Sequence, residues 1–168
     1  MEELKIPKER ISMLLGTRGA IKRKIERLTQ TRITVNSEMG DVMIDGDSVN
    51  CFNCLSIVKA IARGFNPEIA LKLLDENFNL EVLSIDSFAR SKKDLIRIRA
   101  RIIGTRGRAR ENIEEISNTD IEVYGKTVSI IGKVENVMVA KQGITNLLHG
   151  SKHGNVYAYI EKQKSKYK

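Results

Sequence analysis

Two four-residue stretches hold the residue types that could do chemistry in this chain: Gly16-Thr17-Arg18-Gly19 and Gly104-Thr105-Arg106-Gly107. Glycines three apart let the backbone turn sharply and come close to a ligand, because no Cβ stands in the way. Ile102 and Ile103 precede the second stretch, and Ala109, Ile113 and Ile116 follow it at helical spacing. The residues after Gly107 would open a helix, whose free N–H groups and positive dipole end favour phosphate. Arg106, Arg108 and Arg110 add charge at the same place. The chemistry indicated is a non-covalent hold on a phosphate backbone. One GxxG is a weak signal, and its repetition makes it a strong one.

The two copies lie 88 residues apart, and that offset also aligns Ile25 with Ile113, Glu26 with Glu114, Thr31 with Thr119, Ile33 with Ile121 and Val35 with Val123. Nine of the 22 positions from Leu14 to Val35 are identical. Beyond a loop shorter by two residues the match continues at offset 86, pairing Val42 with Val128, Ile44 with Ile130, Gly46 with Gly132, Asn50 with Asn136 and Gly64 with Gly150. A repeat of this length means two copies of one domain of roughly 65–70 residues.

Spacing predicts the elements that must position these loops. In the first copy they are a short strand over Leu4–Ile6, a helix from Lys8 to Leu15, and after the loop a helix marked by Ile21, Ile25 and Leu28. Strands over 31–35 and 42–44 follow, then a helix over 48–62 with Ser48 as its cap. The second copy repeats the order, with a polar, basic insertion at 87–93 that has no counterpart in the first. Residues after Gly150 predict a short amphipathic helix with Tyr157 and Ile160 on one face. The expected organisation is α+β: a first domain over 1–65, a linker helix over 66–78, a second domain over 79–150, and a basic C-terminal helix and tail over 151–168.

The formal net charge is +8, and its placement matters more than its size. Residues 88–110 hold nine Lys or Arg against Asp94 alone, whereas residues 1–75 are nearly balanced, with 12 basic and 10 acidic side chains. A basic footprint around the second loop points to a polyanion, most simply nucleic acid. Cys51 and Cys54 form a CxxC, but the repeat puts Val137 and Ala140 at those positions, so both thiols read as core. His149 and His153 have no acidic or thiol ligand near them in sequence, and no metal or cofactor is expected. Gly-Thr-Arg-Gly lacks the GK[ST] ending of a nucleotide-binding loop. Asp41, Asp45 and Asp47 fall at a strand and a turn, where Asp is common. No catalytic residue is expected. No apolar run approaches the ~20 residues of a membrane span, and the charged N-terminus reads as cytoplasmic.

The stretches Ile11–Ile25 and Ile102–Ile113 resemble the type I KH domain, an RNA- and single-stranded-DNA-binding module of β-α-α-β-β-α order. In that family the GxxG loop clamps about four nucleotides. The resemblance implies that Gly104, Thr105, Arg106 and Gly107 hold phosphates, that Ile103, Ile113, Ile121 and Val123 wall a groove for bases, and that Arg108 and Arg110 add ion contacts. The corresponding residues of the first domain are Gly16, Thr17, Arg18, Gly19 and Lys22, with Leu15, Ile25, Ile33 and Val35 at the groove. Segments 123–132 and 148–157 carry the likeness further. With them nearly the whole chain is similar to the archaeal and eukaryotic ribosome-assembly KH proteins called "partner of Nob one" or Dim-two. That family implies binding of single-stranded RNA near the 3′ end of small-subunit ribosomal RNA, alongside the Nob-one endonuclease and a translation initiation factor. Eukaryotic members have a degenerate first KH domain, whereas this chain keeps a full GTRG at 16–19. Two function classes therefore stand: an RNA-binding adaptor led by the second domain, and a protein-interaction scaffold with little RNA binding of its own.

Overall fold

The structure, a computed structural model, describes residues 1–166; Tyr167 and Lys168, the end of the expected basic tail, lie outside the described residues. The chain divides into two units, Met1–Glu76 and the residues from Asn77 onward. In the first unit the order is β1 (Glu2–Lys5), α1 (Ile11–Leu15), α2 (Ala20–Thr29), β2 (Arg32–Asn36), β3 (Asp41–Asp45), α3 (Ser48–Ala62) and α4 (Pro67–Ala70). The second has β4 (Phe78–Ser84), α5 (Lys92–Ile103), α6 (Arg108–Ser117), β5 (Asp120–Tyr124), β6 (Thr127–Lys133), α7 (Val134–Leu148) and α8 (His153–Ser165). Each sheet is antiparallel, ordered β1-β3-β2 and β4-β6-β5, so the last strand of each unit lies in the middle. Among the described residues no helix is long and apolar enough to cross a membrane.

Registers reproduce the repeat. Val35 stands opposite Val42, and Val123 opposite Val128. Both second helices end on a left-handed residue, Gln30 at φ 55° and Asn118 at φ 54°. Behind each sheet Ile25, Ile33, Val42 and Ile44, or Ile113, Ile121, Val128 and Ile130, are buried against the helices. Cys51 and Cys54 are free and buried in that layer. Burial pushes the Cys54 thiol up, against the pull of hydrogen bonds with Thr31 and Thr29. The cap of α3 is Asp47 rather than Ser48: its carboxylate accepts the Asn50 N–H at 3.0 Å.

Residues 66–74 belong to the first unit. Asn66 caps α4 by accepting the Ile69 N–H, and Ala70 and Leu73 are buried. In the second unit α8 is part of the core. Its buried face is Val156 and Ile160, with Tyr157 half-buried beside it. Gly143 of α7 admits that face, since a Cβ there would lie 2.7 Å from Ile160 Cδ1. The insertion forms a short turn (Asp86–Phe88), and Ser91 then caps α5 by accepting the Asp94 N–H.

Candidate nucleic-acid interface

Both GTRG segments adopt one backbone. Gly16 and Gly104 have φ/ψ of 70°/−177° and 76°/174°. Arg18 and Arg106 have 55°/31° and 57°/27°, and Gly19 and Gly107 have 76°/15° and 76°/10°. The first glycine occupies a region open essentially to glycine alone. Its space is also taken: a Cβ on Gly16 would fall 2.3 Å from Ile21 Cγ1, and one on Gly104 would fall 2.6 Å from the Ala109 Cβ. The last glycine differs. A Cβ on Gly107 would meet nothing within 4 Å, and one on Gly19 only the Arg23 guanidinium at 3.2 Å. The first glycine thus seats the loop on the helix that follows, and the last leaves the outer side of the turn bare for a strand to approach.

No side chain caps α2 or α6; the Ala20 and Arg108 N–H groups donate to the Thr17 and Thr105 carbonyls of the turn, and each loop lies at the positive end of its helix dipole. Arg18, Arg106 and Arg108 are exposed and form no side-chain bond among the described residues. Arg110 is placed otherwise. Its guanidinium donates to the Ile121 carbonyl at 3.1 Å and stands 3.4 Å from Glu122 and 3.8 Å from Glu114. Lys22, its repeat mate, lies 3.1 Å from Glu26. Arg110 thus ties α6 to β5, Lys22 pairs within α2 itself, and neither cation stands unpartnered.

Five of the nine cations of the basic segment, Lys92, Lys93, Arg97, Arg99 and Arg101, fall on α5, ahead of the loop. Arg101 donates to the Ser151 carbonyl, and the His153 ring lies 2.8 Å from the Arg101 carbonyl, so these two residues join α5 to the start of α8. Arg97 bonds Asp94. The Arg90 N–H, together with Arg97, holds the Asp94 carboxyl below its ordinary range. Lys92 and Lys93 are exposed.

The aliphatic residues assigned to the groove divide into two kinds. Ile113 and Ile121 are fully buried, as are Ile25 and Ile33 in the first unit. Ile103 and Val123, like Leu15 and Val35, are half-buried and keep an open side. Only the latter four offer surface to a base.

One pair of residues at the site has a role that sequence reasoning missed. Glu26 accepts the Ile33 N–H at 2.8 Å, and Glu114 accepts the Ile121 N–H at 3.1 Å. Each ties its second helix to the start of the strand beside it. Their identity across the repeat was the available signal. Burial raises the Glu114 carboxyl above its ordinary range, and the Ile121 N–H and Arg110 oppose that shift without cancelling it. Among the described residues no three His, Cys, Asp or Glu side chains converge as metal ligands would.

Comparison with known proteins agrees with this geometry. A family model described as eukaryotic-type KH domain, KH-domain type I, matches residues 79–165, and a KH-domain model matches residues 1–60. A KH domain-containing protein of Methanocaldococcus jannaschii is 38% identical over 173 residues, which span this whole chain and 76% of that protein. The pre-rRNA-processing protein PNO1 of Chaetomium thermophilum is 32% identical over 152 residues, 85% of this chain and 52% of its own length. The chain spans about half the length of the eukaryotic relatives it matches. Among solved structures, Dim2p from Pyrococcus horikoshii superposes with a TM-score of 0.89 at 44% identity, covering 96% of this chain and 98% of that one. A chain in the complex of a/eIF2alpha, aDim2p and rRNA from the same organism gives 0.91 at 44% identity, covering 98% of this chain and 94% of that one.

Proposed function

The chain belongs to the PNO1/Dim2 family of KH-domain proteins, and from that premise we propose that it binds single-stranded ribosomal RNA in ribosome assembly, as a non-catalytic adaptor near the 3′ end of small-subunit RNA. The observation that carries this is the second loop: a bare turn at Gly107, an uncapped helix behind it, and Arg106 and Arg108 unpaired beside it. Related proteins named for pre-rRNA processing, and a similar chain crystallised with rRNA and a/eIF2alpha, support the choice of RNA.

The mechanism follows from the side chains. Phosphates rest on the loop N–H groups and on Arg106 and Arg108, while bases lie over Ile103 and Val123. The whole chain has four Tyr, four Phe and no Trp, so aliphatic contact replaces aromatic stacking. Each neutralised phosphate on single-stranded RNA contributes a slope of about −0.7 to log affinity against log salt. In the same reading the protein works in the cytoplasm, beside a trimming endonuclease and an initiation-factor subunit.

Titration at several salt concentrations tests this. A single-stranded RNA carrying the 3′-terminal sequence of small-subunit rRNA should bind more tightly than an unrelated strand of equal length and more tightly than its own duplex. Equal affinity for all three would reduce the protein to a non-specific polycation.

A further inference from the structure

The face formed by β1 and α3 in the first unit has an open pocket of about 710 Å³ that no GTRG residue lines. Its floor is apolar, with Leu4, Met39, Leu55 and Ala62. The rim holds Lys5, Lys8, Lys59 and Arg63 against the single carboxylate of Glu3, so the pocket is positive overall. Lys8 and Lys59 are exposed and unpaired among the described residues, and Lys5 lies 3.7 Å from Asp41.

The second unit shows how this face is closed when the chain closes it itself. Arg63 and His149 are equivalent C-caps, of α3 and α7. Against His149 stands Phe88 of the insertion, edge to face with ring centroids 5.3 Å apart, packed on the core beside Leu148. The repeat puts Lys141 in place of Leu55, and Lys141 bonds Glu81 at 2.7 Å. An aromatic plug and an ion pair thus complete the second unit. The first has no insertion, has an apolar residue in place of the lysine, and surrounds the gap with cations.

We infer that the β1–α3 face of the first unit is a docking site for a partner protein segment carrying an aromatic side chain flanked by carboxylates. The occupant has the form of the chain's own Asp86-Ser87-Phe88 with more negative charge. The aromatic ring fills the apolar floor, and the acids meet Lys8, Lys59 and Lys5 at the rim. Such a surface would let one molecule hold RNA on one unit and a protein on the other.

The probe is a dye-labelled peptide, Asp-Glu-Asp-Ser-Phe-Ala-Asp, titrated against the full chain by fluorescence anisotropy. Saturable binding is expected, lost when the peptide Phe becomes Ala. Leu55→Lys, which copies the second unit, should weaken it about tenfold or more, and Lys59→Glu should do the same without touching the floor. Affinity for single-stranded RNA should stay unchanged in both variants, and thermal melting checks that each is folded. The inference is overturned by no saturable binding up to ~1 mM, by equal binding of the Phe→Ala peptide, or by loss of RNA affinity in Lys59→Glu, which would make the face an RNA contact.

Discussion

The two GTRG loops share a backbone to within a few degrees, yet their surroundings differ at nearly every charged position. After the first loop come Ala20, Lys22, Arg23 and Lys24; after the second, Arg108, Arg110, Glu111 and Asn112. Arg23 turns back and donates to the Arg18 carbonyl at 2.7 Å, so part of the first unit's charge is spent on its own loop. In the second unit Arg106 and Arg108 both stand clear, whereas the first has Arg18 clear but Ala20 in the place of Arg108. Loop shape is therefore a property of the fold, fixed by the first glycine and the residue five places on. Ligand attraction depends on which cations stay unpaired, and that does not follow from the number of Lys and Arg in a segment. Of the basic residues in 88–110, Arg97, Arg101 and Arg110 are engaged within the protein.

The largest effects should come where the units are alike. Ala at Gly16 or Gly104 combines backbone strain of about 1–3 kcal/mol with overpacking of about 1–3 kcal/mol. Both variants should lose several kcal/mol, read by denaturant unfolding, and a wide gap between them would break the equivalence of the loops. Ile160→Ala probes where the units differ. It should remove about 2–5 kcal/mol from the second unit, because Ile160 is fully buried against Gly143 and the core. The first unit should unfold unchanged, and an unfolding curve shifted as a whole would show that α8 supports both.

A smaller effect is expected at Glu114. A carboxyl raised by burial is more protonated in the folded protein than in the unfolded chain. Its contribution therefore favours folding at low pH and is lost as pH rises from the ordinary glutamate range through the raised value. Glu114→Gln keeps an acceptor for the Ile121 N–H and should flatten that part of the stability profile. A steeper profile in the variant would contradict the sign. The smallest effects belong to Lys22→Gln and Arg110→Gln. Both cations already have carboxylate partners, so RNA affinity should change less than twofold and the salt slope hardly at all. Arg108→Gln should flatten the slope by about 0.7.

Much of this was legible in the sequence because the repeat supplied an internal control. It marked the chain as two copies of one fold, placed the thiols in the core and gave both GTRG segments the same turn. The central position of β3 and β6 could not be read, since strand order depends on packing and leaves no mark on hydrophobic period. Arg110 was hard to place because its carbonyl and carboxylate partners, Ile121 and Glu122, lie 11 and 12 residues away on a strand whose pairing the sequence does not state. Groove and core aliphatics share a residue type, so Ile113 could not be told from Ile103 before burial was known. The α3 cap fell on Asp47 because two capping residues stand side by side and Asn50 bonds the first.

Gly107→Asp against Gly19→Asp, titrated with single-stranded RNA, tests the central claim most directly, because a Cβ at Gly107 meets nothing, one at Gly19 meets only the flexible end of Arg23 at 3.2 Å, and both lie in a left-handed conformation that Asp tolerates. Double Gly→Asp variants that include Gly104 or Gly16 would confound binding with folding. The account predicts that Gly107→Asp lowers affinity about tenfold or more by placing a carboxylate at the uncapped start of α6, with melting nearly unchanged, and that Gly19→Asp costs far less. Equal losses from the two, or none from Gly107→Asp, would contradict the reading of the second loop as the main hold on the RNA backbone.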